Sequence, residues 1–116
     1  MEIKIVKEKI NLSDLADIAK AGFGDMVKGV VDIEKKIIAL GGGLHADEEA
    51  LLLQNDSKQA NLWGVNLYPD KFATKDFVEF DSMINIRPWQ NNRSRGVEDE
   101  NIRQQITEVT LSLVEK

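Results

Sequence analysis

Hydrophobic and polar residues alternate in several segments of the chain. Four segments have the alternation or the density of β-branched residues that is typical of strands: residues 2–6, 26–40, 62–68 and 77–86. The polar tetrad 32–35 interrupts the second segment, which is therefore predicted to form two strands joined by a short turn. The last segment, FVEFDSMINI, has the most regular alternation and is predicted to be one continuous strand.

Two other segments have apolar residues at helical spacing. In the first, Asn11 or Ser13 can cap a helix that runs to about Gly22. In the second, which covers residues 98–114, an apolar stripe recurs every three or four positions. The stripe consists of Ile102, Ile106, Val109 and Leu113. The acidic residues 98–100 lie at the N-terminus of this helix, where negative charge interacts favourably with the helix dipole.

Residues 44–54 (LHADEEALLLQ) fit two structures. Asp47 can cap a short helix, in which Glu48 and Glu49 favour the N-terminal dipole. Alternatively, His45, Asp47 and Glu49 alternate as they would in a strand, and a turn at 55–57 would then join that strand to residues 62–68. Because this hairpin is the more economical connection, we favour the strand.

These elements predict one α+β domain that spans residues 1–116. We expect a largely antiparallel sheet of five or six strands, arranged as a meander, with a helix in the N-terminal half and an amphipathic helix at the C-terminus. Two helices can cover only one face of such a sheet. We therefore expect the other face to be solvated, paired with a partner or used for function.

Composition and charge narrow the possible partners. The chain has no cysteine and a formal net charge of −5, which excludes disulfides and thiolate metal sites and makes nucleic acid an unlikely partner. No apolar run approaches the roughly 20 residues of a membrane span. The first residues interleave acidic and basic side chains and lack the apolar core of a signal peptide. We therefore expect a cytoplasmic protein that does not bind membranes.

On the strand interpretation, His45, Asp47 and Glu49 share one face, and Glu79 and Asp81 share a face of their own strand. If both sets lie on the uncovered side of the sheet, the grouped carboxylates can bind a hard divalent cation such as Mg²⁺ or Mn²⁺. The predicted metal ligands are Asp47, Glu49, Glu79 and Asp81, and the candidate general base is His45. A solvated sheet face explains the same pattern without a ligand.

Every arginine of the chain falls within residues 87–103. The arginine fork suits carboxylate or phosphate, and the loop at 88–96 immediately precedes a predicted helix N-terminus, which favours anions. The candidate ligand-binding residues are Arg87, Asn91, Asn92, Arg93 and Arg95. Alternatively, Arg93 and Arg95 pair with the acidic residues 98–100 and fix the loop.

Two smaller features have simple structural explanations. Gly41, Gly42 and Gly43 offer backbone N–H groups to a phosphate, but they lack the Lys-Ser/Thr ending of a nucleotide P-loop. A tight connection between two strands explains the three glycines without a ligand. Trp63 is predicted to lie in the core, whereas Trp89 follows Pro88 in a polar loop and is predicted to be exposed.

The runs GGGLHADEEALLL, NLWGVNLYP and EFDSMINIRPWQNNRSRGVEDENIR resemble a family of small prokaryotic proteins that is classed only as a domain of unknown function. The resemblance extends from Ile3 to about Val114. It implies one domain, a prokaryotic source and an intracellular setting. It implies no activity, ligand or catalytic residue.

Three functional hypotheses follow. The first is binding, or metal-dependent processing, of a small anionic and phosphorylated ligand, which requires that the histidine segment and the arginine loop open onto a common cavity. The second is a non-enzymatic module that pairs with itself or with another protein through the uncovered face or an open strand edge. The third is a structured-RNA binder that uses Arg93 and Arg95, which the acidic net charge disfavours.

Overall fold

The fold is an antiparallel sheet with helices on both faces. Over residues 2–116, which the computed structural model describes, the sheet has five strands in the order β1-β4-β3-β5-β6. These strands are β1 (Lys4–Val6), β3 (Val27–Asp32), β4 (Ile37–Leu40), β5 (Leu62–Leu67) and β6 (Val78–Glu79). Two short strands, β2 (Ile10–Asn11) and β7 (Val114–Glu115), pair separately in parallel. The helices are α1 (Leu12–Ala21), α2 (His45–Gln54) and α3 (Glu100–Leu113). The predicted α+β class and antiparallel sheet are confirmed.

The hairpin of β3 and β4 forms at the polar tetrad, as predicted. The Asp32 side chain accepts the N–H groups of Glu34 and Lys35, both at 2.9 Å, and Lys36 adopts the left-handed conformation with φ 58°. β5 pairs with the opposite edge of β3. The connection from β4 to β5 therefore crosses the sheet, and it carries α2. The strand order departs from a simple meander at this crossover and at β1, which pairs with β4.

Both faces of the sheet are covered. The larger core packs α1 and α3 against one face and includes Leu15, Val31, Trp63, Val65, Ile106 and Leu113. A smaller core packs Leu52 of α2 against the opposite face, where it meets Val30, Ile37, Ala39 and Leu62. The expectation that one face lacks a helix was wrong, because α2 had been predicted as a strand.

The preference for a strand at residues 44–54 was wrong: His45–Gln54 is a helix. Its buried residues are His45, Glu48 and Leu52, which are three and four positions apart and so share one helical face. Two of these three residues are polar, and the periodicity of apolar residues therefore did not reveal the helix. As a consequence, His45, Asp47 and Glu49 do not share a face as they would in a strand.

The continuous strand predicted at residues 77–86 was also wrong. Only Val78–Glu79 is a strand, and Met83–Asn85 forms a 3₁₀ helix. Beside β5, the Asn85 side chain accepts the N–H of Gly64 at 2.9 Å and donates to the carbonyl of Gly64 at 3.0 Å. The side-chain amide thus makes the two hydrogen bonds that a neighbouring strand would make.

The loop that follows is irregular, as predicted, and is held together by Asn92. The Asn92 amide donates to the carbonyls of Asn85, Ser94 and Gly96 at 2.7, 3.2 and 2.8 Å. Its oxygen accepts the N–H of Glu98 at 2.8 Å. Because Asn92 is buried and all of these partners belong to the chain, the loop is a fixed structure.

We expect Asn85→Ala to lower the free energy of unfolding by about 2–4 kcal/mol, because it leaves the N–H and C=O of buried Gly64 without partners. Urea unfolding monitored by circular dichroism measures this change. The matched control is Asn101→Ala, since Asn101 is exposed on α3 and its replacement should change stability by less than about 0.5 kcal/mol. Equal stabilities of the two variants would contradict the role given to Asn85.

Candidate functional site

Two of the predicted ligand-binding residues are buried structural groups. Arg87 donates to the carbonyls of Gln59 and Leu62, and its guanidinium carbon lies 4.0 Å from the centre of the Trp63 ring. Burial lowers the pKa of Arg87 from its usual value. Asn92 uses its amide within the loop, as described above. Both side chains are buried and held by backbone groups of the protein, although Arg87 Nε has no partner among the described residues.

The backbone of the arginine loop already holds a carboxylate. The N–H groups of Arg93 and Ser94 donate to Glu98 Oε2 at 2.7 and 2.9 Å, and the hydrogen bond from Arg93 is the main cause of a lowered Glu98 pKa. Asp99 caps α3 by accepting two N–H groups of its first turn. Asn91 is exposed and left-handed, with φ 60°, where the preceding 3₁₀ helix ends. The alternative in which Arg93 and Arg95 pair with the acidic residues 98–100 was therefore wrong in its partners: Glu98 fixes the loop through backbone N–H groups, and Arg95 pairs with Asp81.

The predicted metal ligands are not gathered into one site. Asp47 is exposed on α2, while Glu49 lies close enough to Arg87 to affect its pKa. Glu79 accepts hydrogen bonds from neutral groups, and Asp81 pairs with Arg95. No group of three or more histidine and carboxylate side chains within residues 2–116 is arranged to hold a metal ion.

A different group of polar side chains does come together, on the face of the sheet that α2 covers. Lys28 of β3, Asn66 of β5 and Glu79 of β6 are neighbours across the strands, because Lys28 pairs with Asn66 and Asn66 pairs with Glu79. Paired residues project to the same face of a sheet. We call these three residues the polar row. The N-terminus of α2 lies beside it, since His45 hydrogen-bonds to β5 at the residue before Asn66.

One hydrogen bond defines the tautomer of the neutral His45 ring. Its Nε2 lies 2.8 Å from the carbonyl oxygen of Val65, and because a carbonyl can only accept, Nε2 carries the hydrogen. The pKa of His45 is lowered, chiefly by burial and further by the charge of Lys28, against the opposing effects of Val65, Asn66 and Asp81. His45 is also the first residue of α2, where the helix dipole disfavours a cation. The neutral ring thus has its lone pair on Nδ1.

Asn66 has a hydrogen-bonding group that the protein does not use. The side chain is 5% exposed, and its amide donates to Glu79 Oε1 at 2.9 Å and to the carbonyl of Asp81 at 3.4 Å. Its oxygen makes no hydrogen bond of ordinary geometry among residues 2–116, although the side chain raises the pKa of His45 as a hydrogen-bonding neighbour of the ring does. A buried oxygen without a partner is uncommon and costs free energy.

An ion pair stands at the rim of this group. Arg95 Nε lies 2.6 Å from Asp81 Oδ1, and about half of each side chain is exposed. Asp81 also affects the pKa of His45. Of the residues predicted from the sequence, the structure therefore brings His45, Glu79, Asp81 and Arg95 together, and the surface they form with the polar row is the candidate site.

The N-terminus of α2 is not capped by a side chain. Leu44 occupies the capping position and its side chain offers no acceptor. The N–H of Asp47 donates to the Leu44 carbonyl at 3.2 Å, so that the N–H groups of His45 and Ala46 are the ones left for a ligand. In the preceding glycine loop, residues 41–43, one backbone N–H is already used, because Gly42 N–H donates to Glu48 Oε2 at 2.9 Å. Burial raises the pKa of Glu48 to about 9, and this carboxyl is therefore neutral at pH 7.

Comparison with known proteins gives a family without a known activity. The family model described as Protein of unknown function (DUF5674) matches residues 4–113. The chain belongs to this family. Among curated proteins and solved structures, none is significantly similar to it. No helix in the described part of this DUF5674 chain is both long enough and apolar enough to cross a bilayer.

Several residues of the candidate site in this DUF5674 chain were not predicted from the sequence. Lys28 and Asn66 each lie within strands that were predicted correctly, and their alternation with apolar neighbours placed them on one face. Lys28 and Asn66 belong to the candidate site only because the connection from β4 to β5 places α2 on that face. This crossover was not predicted. The buried Glu48 gave no signal, because a glutamate at a helix N-terminus is usually exposed.

We expect the free energy of unfolding to fall between pH 7 and 9 because of Glu48. Its pKa is about 9 in the folded chain against 4.5 as the reference value, so its contribution is complete below pH 4.5 and is lost as pH rises through 9. The slope is at most about 1.4 kcal/mol per pH unit. His45, whose pKa is lowered, is neutral in both states over most of this range and adds little.

Chemical denaturation at several pH values measures this slope. Glu48→Gln should flatten it, whereas Glu8→Gln, at an exposed position, should leave it unchanged. A wild-type free energy of unfolding that is constant from pH 7 to 9 would contradict a neutral Glu48.

Proposed function

We propose that the chain binds a small anionic ligand, such as a phosphate monoester with hydroxyl groups, at the N-terminus of α2 and the polar row. The observation that carries the proposal is the unpartnered oxygen of buried Asn66 beside this N-terminus. A hydroxyl group of a ligand would supply the missing donor. The available N–H groups of α2 would bind the anionic group.

Two cations can interact with an anion at this position. Lys28 is half-buried in the polar row and forms no ion pair with a carboxylate of the described chain, although its Nζ lies 5.3 Å from the centre of the Phe23 ring. Arg95 stands at the rim, where a ligand anion can compete with Asp81 for its guanidinium. The buried carboxyl of Glu48 is neutral, and the acidic side chain of Glu79 lies at the opposite end of the row from Lys28, on β6. A cation in a partly dry site interacts strongly with an anion, because the effective dielectric constant there is below that of water.

His45 would contribute a proton acceptor. With Nε2–H held by Val65, Nδ1 carries the lone pair that could accept a proton from a hydroxyl of the ligand. Because its pKa is lowered, the ring stays neutral at pH values at which an ordinary histidine would be protonated. It can therefore still act as a base there. Asp81, which opposes this lowering, would stabilise the imidazolium that forms. The metal-dependent form of this function is not proposed, since the carboxylates are dispersed.

We expect Lys28→Gln to weaken binding of hexitol 1-phosphate at least tenfold, because it removes the unpaired cation of the polar row. A tenfold loss corresponds to about 1.4 kcal/mol. Isothermal titration calorimetry with inorganic phosphate and hexitol 1-phosphate measures both affinities. Lys7→Gln, at an exposed position in the turn after β1, is the control and should bind as the wild type does. Equal affinities of Lys28→Gln and the wild type, or no binding of either probe, would exclude the proposed site.

A second function, self-association or binding to another protein, is favoured by a separate observation. Three large apolar side chains near α2 and the arginine loop are mostly exposed: Leu44 at 60%, Met83 at 65% and Trp89 at 75%. Exposed apolar side chains of this size are common at protein interfaces. The structure gives no partner for them, and this function is therefore the alternative.

If these side chains form an interface between copies of the chain, the average mass in multi-angle light scattering should rise with concentration. Trp89→Ser should then raise the dissociation constant of the self-association at least tenfold. Leu111→Ser, which removes an exposed apolar residue of α3 that is 47% exposed, should have no such effect. A monomer mass at all concentrations would exclude self-association.

A further inference from the structure

We propose that the ligand of the polar row carries two anionic groups, and that the second group lies in an adjoining groove between β6 and the loop after β5. The groove has a volume of about 320 Å³, which lies at the lower end of the range for small-molecule sites. Its walls are Tyr68, Lys71, Lys75, Asp76, Val78 and Glu79. Glu79 belongs to both the groove and the polar row. The inference therefore rests on the proposed function, whose ligand it extends.

Two lysines supply the positive charge of the groove. Lys71 Nζ lies 5.1 Å from the centre of the Tyr68 ring, and neither Lys71 nor Lys75 forms an ion pair in the part of the chain that the structure describes. Their loop is held by Thr74, which donates its hydroxyl to the carbonyl of Lys71 at 2.7 Å and accepts the N–H of Asp76 at 3.2 Å. Two unpaired cations on a fixed loop suit a phosphate or carboxylate group.

The segment between the two anion positions is suited to hydroxyl groups. Glu79 Oε1 accepts the Tyr68 hydroxyl and the Asn66 amide, both at 2.9 Å. The other oxygen of Glu79 and the unpartnered oxygen of Asn66 can accept further hydrogen bonds. These acceptors would repel an anion but would bind hydroxyls. Asp76 adds a second acidic side chain to the groove, so that the two lysines are needed to offset the two acidic residues that line it.

The strand spacing sets the length of such a ligand. Lys28 lies on β3 and Glu79 on β6, with β5 between them, and neighbouring strands are about 4.8 Å apart, so that the row spans about 10 Å. Because the second anion lies beyond Glu79, at Lys71 and Lys75, the two anionic groups are separated by at least this distance, which an extended chain of six hydroxylated carbons with a phosphate at each end can span. The substrate class is thus a polyhydroxylated compound with two terminal anionic groups.

Isothermal titration calorimetry on the full chain tests the second anion position with three probes: hexitol 1-phosphate, hexitol 1,6-bisphosphate and hexane-1,6-diol bisphosphate. We expect the hexitol bisphosphate to bind at least tenfold more tightly than the monophosphate. It should also bind at least tenfold more tightly than the hexanediol compound, which lacks the hydroxyls. The double variant Lys71→Gln/Lys75→Gln should lower affinity for the hexitol bisphosphate to that for the monophosphate. The monophosphate itself should bind this variant as it binds the wild type.

The control is Lys7→Gln/Lys9→Gln, which removes two exposed lysines elsewhere and should leave all affinities unchanged. Equal binding of the hexitol monophosphate and bisphosphate by the wild type, or no effect of Lys71→Gln/Lys75→Gln, would overturn the second anion position. The proposed function would then still stand if the monophosphate binds in a Lys28-dependent manner. If none of the probes binds, both proposals fall.

Discussion

The attachment of the α2 N-terminus to the sheet is the contact on which the candidate site depends. Two buried polar groups of α2 take part: His45 donates to the Val65 carbonyl of β5, and Glu48 accepts the N–H of Gly42 in the loop that leads from β4 into the helix. Only one α2 residue, Leu52, belongs fully to the apolar core of this face. Hydrogen bonds are directional, whereas apolar contact is not. The two polar groups therefore fix where the helix begins relative to β5, and with it the position of His45 beside Asn66.

The incomplete pairing of β5 with β6 explains how Asp81 and Arg95 come to lie next to each other at the rim of the site. β6 pairs with only the last two residues of β5, and beyond them the Asn85 amide takes the place of a strand. The same amide also donates to the Arg95 carbonyl at 3.0 Å, and Ser82 N–H donates to that carbonyl at 2.9 Å. These bonds hold the backbone of Arg95 next to Asp81. The amide-rich loop, which the sequence suggested as a ligand site, thus acts mainly as the frame that positions the rim of the site.

The fold was largely predictable because most of its elements follow from apolar periodicity. The β3–β4 hairpin, β5 and α3 each have the spacing expected of them, and α3 has an acidic first turn and Asp99 as its cap. The two errors, at α2 and at residues 77–86, have a common cause. Both segments are positioned by buried polar side chains, Glu48 in one and Asn85 in the other. A pattern of hydrophobic residues does not reveal such groups, since they are polar and bind backbone atoms: Glu48 binds the N–H of nearby Gly42, and Asn85 binds Gly64, which is distant in sequence.

The candidate site was predictable only in part, for a related reason. His45, Glu79, Asp81 and Arg95 were selected for their chemistry, and the structure brings them near one another. Arg87 and Asn92 were selected by the same criterion, yet the two terminal nitrogens of Arg87 and the amide of Asn92 are used within the protein. Residue type alone cannot separate these cases, and neither can a missing partner alone, since Arg87 Nε also lacks one. The oxygen of Asn66 differs because it lies beside the N-terminus of α2, and this depends on the register of β5 against its neighbours.

An anion site in a chain of net charge −5 is physically consistent, because screening limits the reach of distant charges. At physiological ionic strength the Debye length is about 8 Å, so exposed acidic residues farther away contribute little. At the polar row, the carboxyl of Glu48 is neutral, Asp81 is paired with Arg95, and Glu79 lies two strands away from Lys28. Lys28 has no such partner. The local balance at the α2 N-terminus, rather than the charge of the whole chain, therefore determines which ligand can bind there.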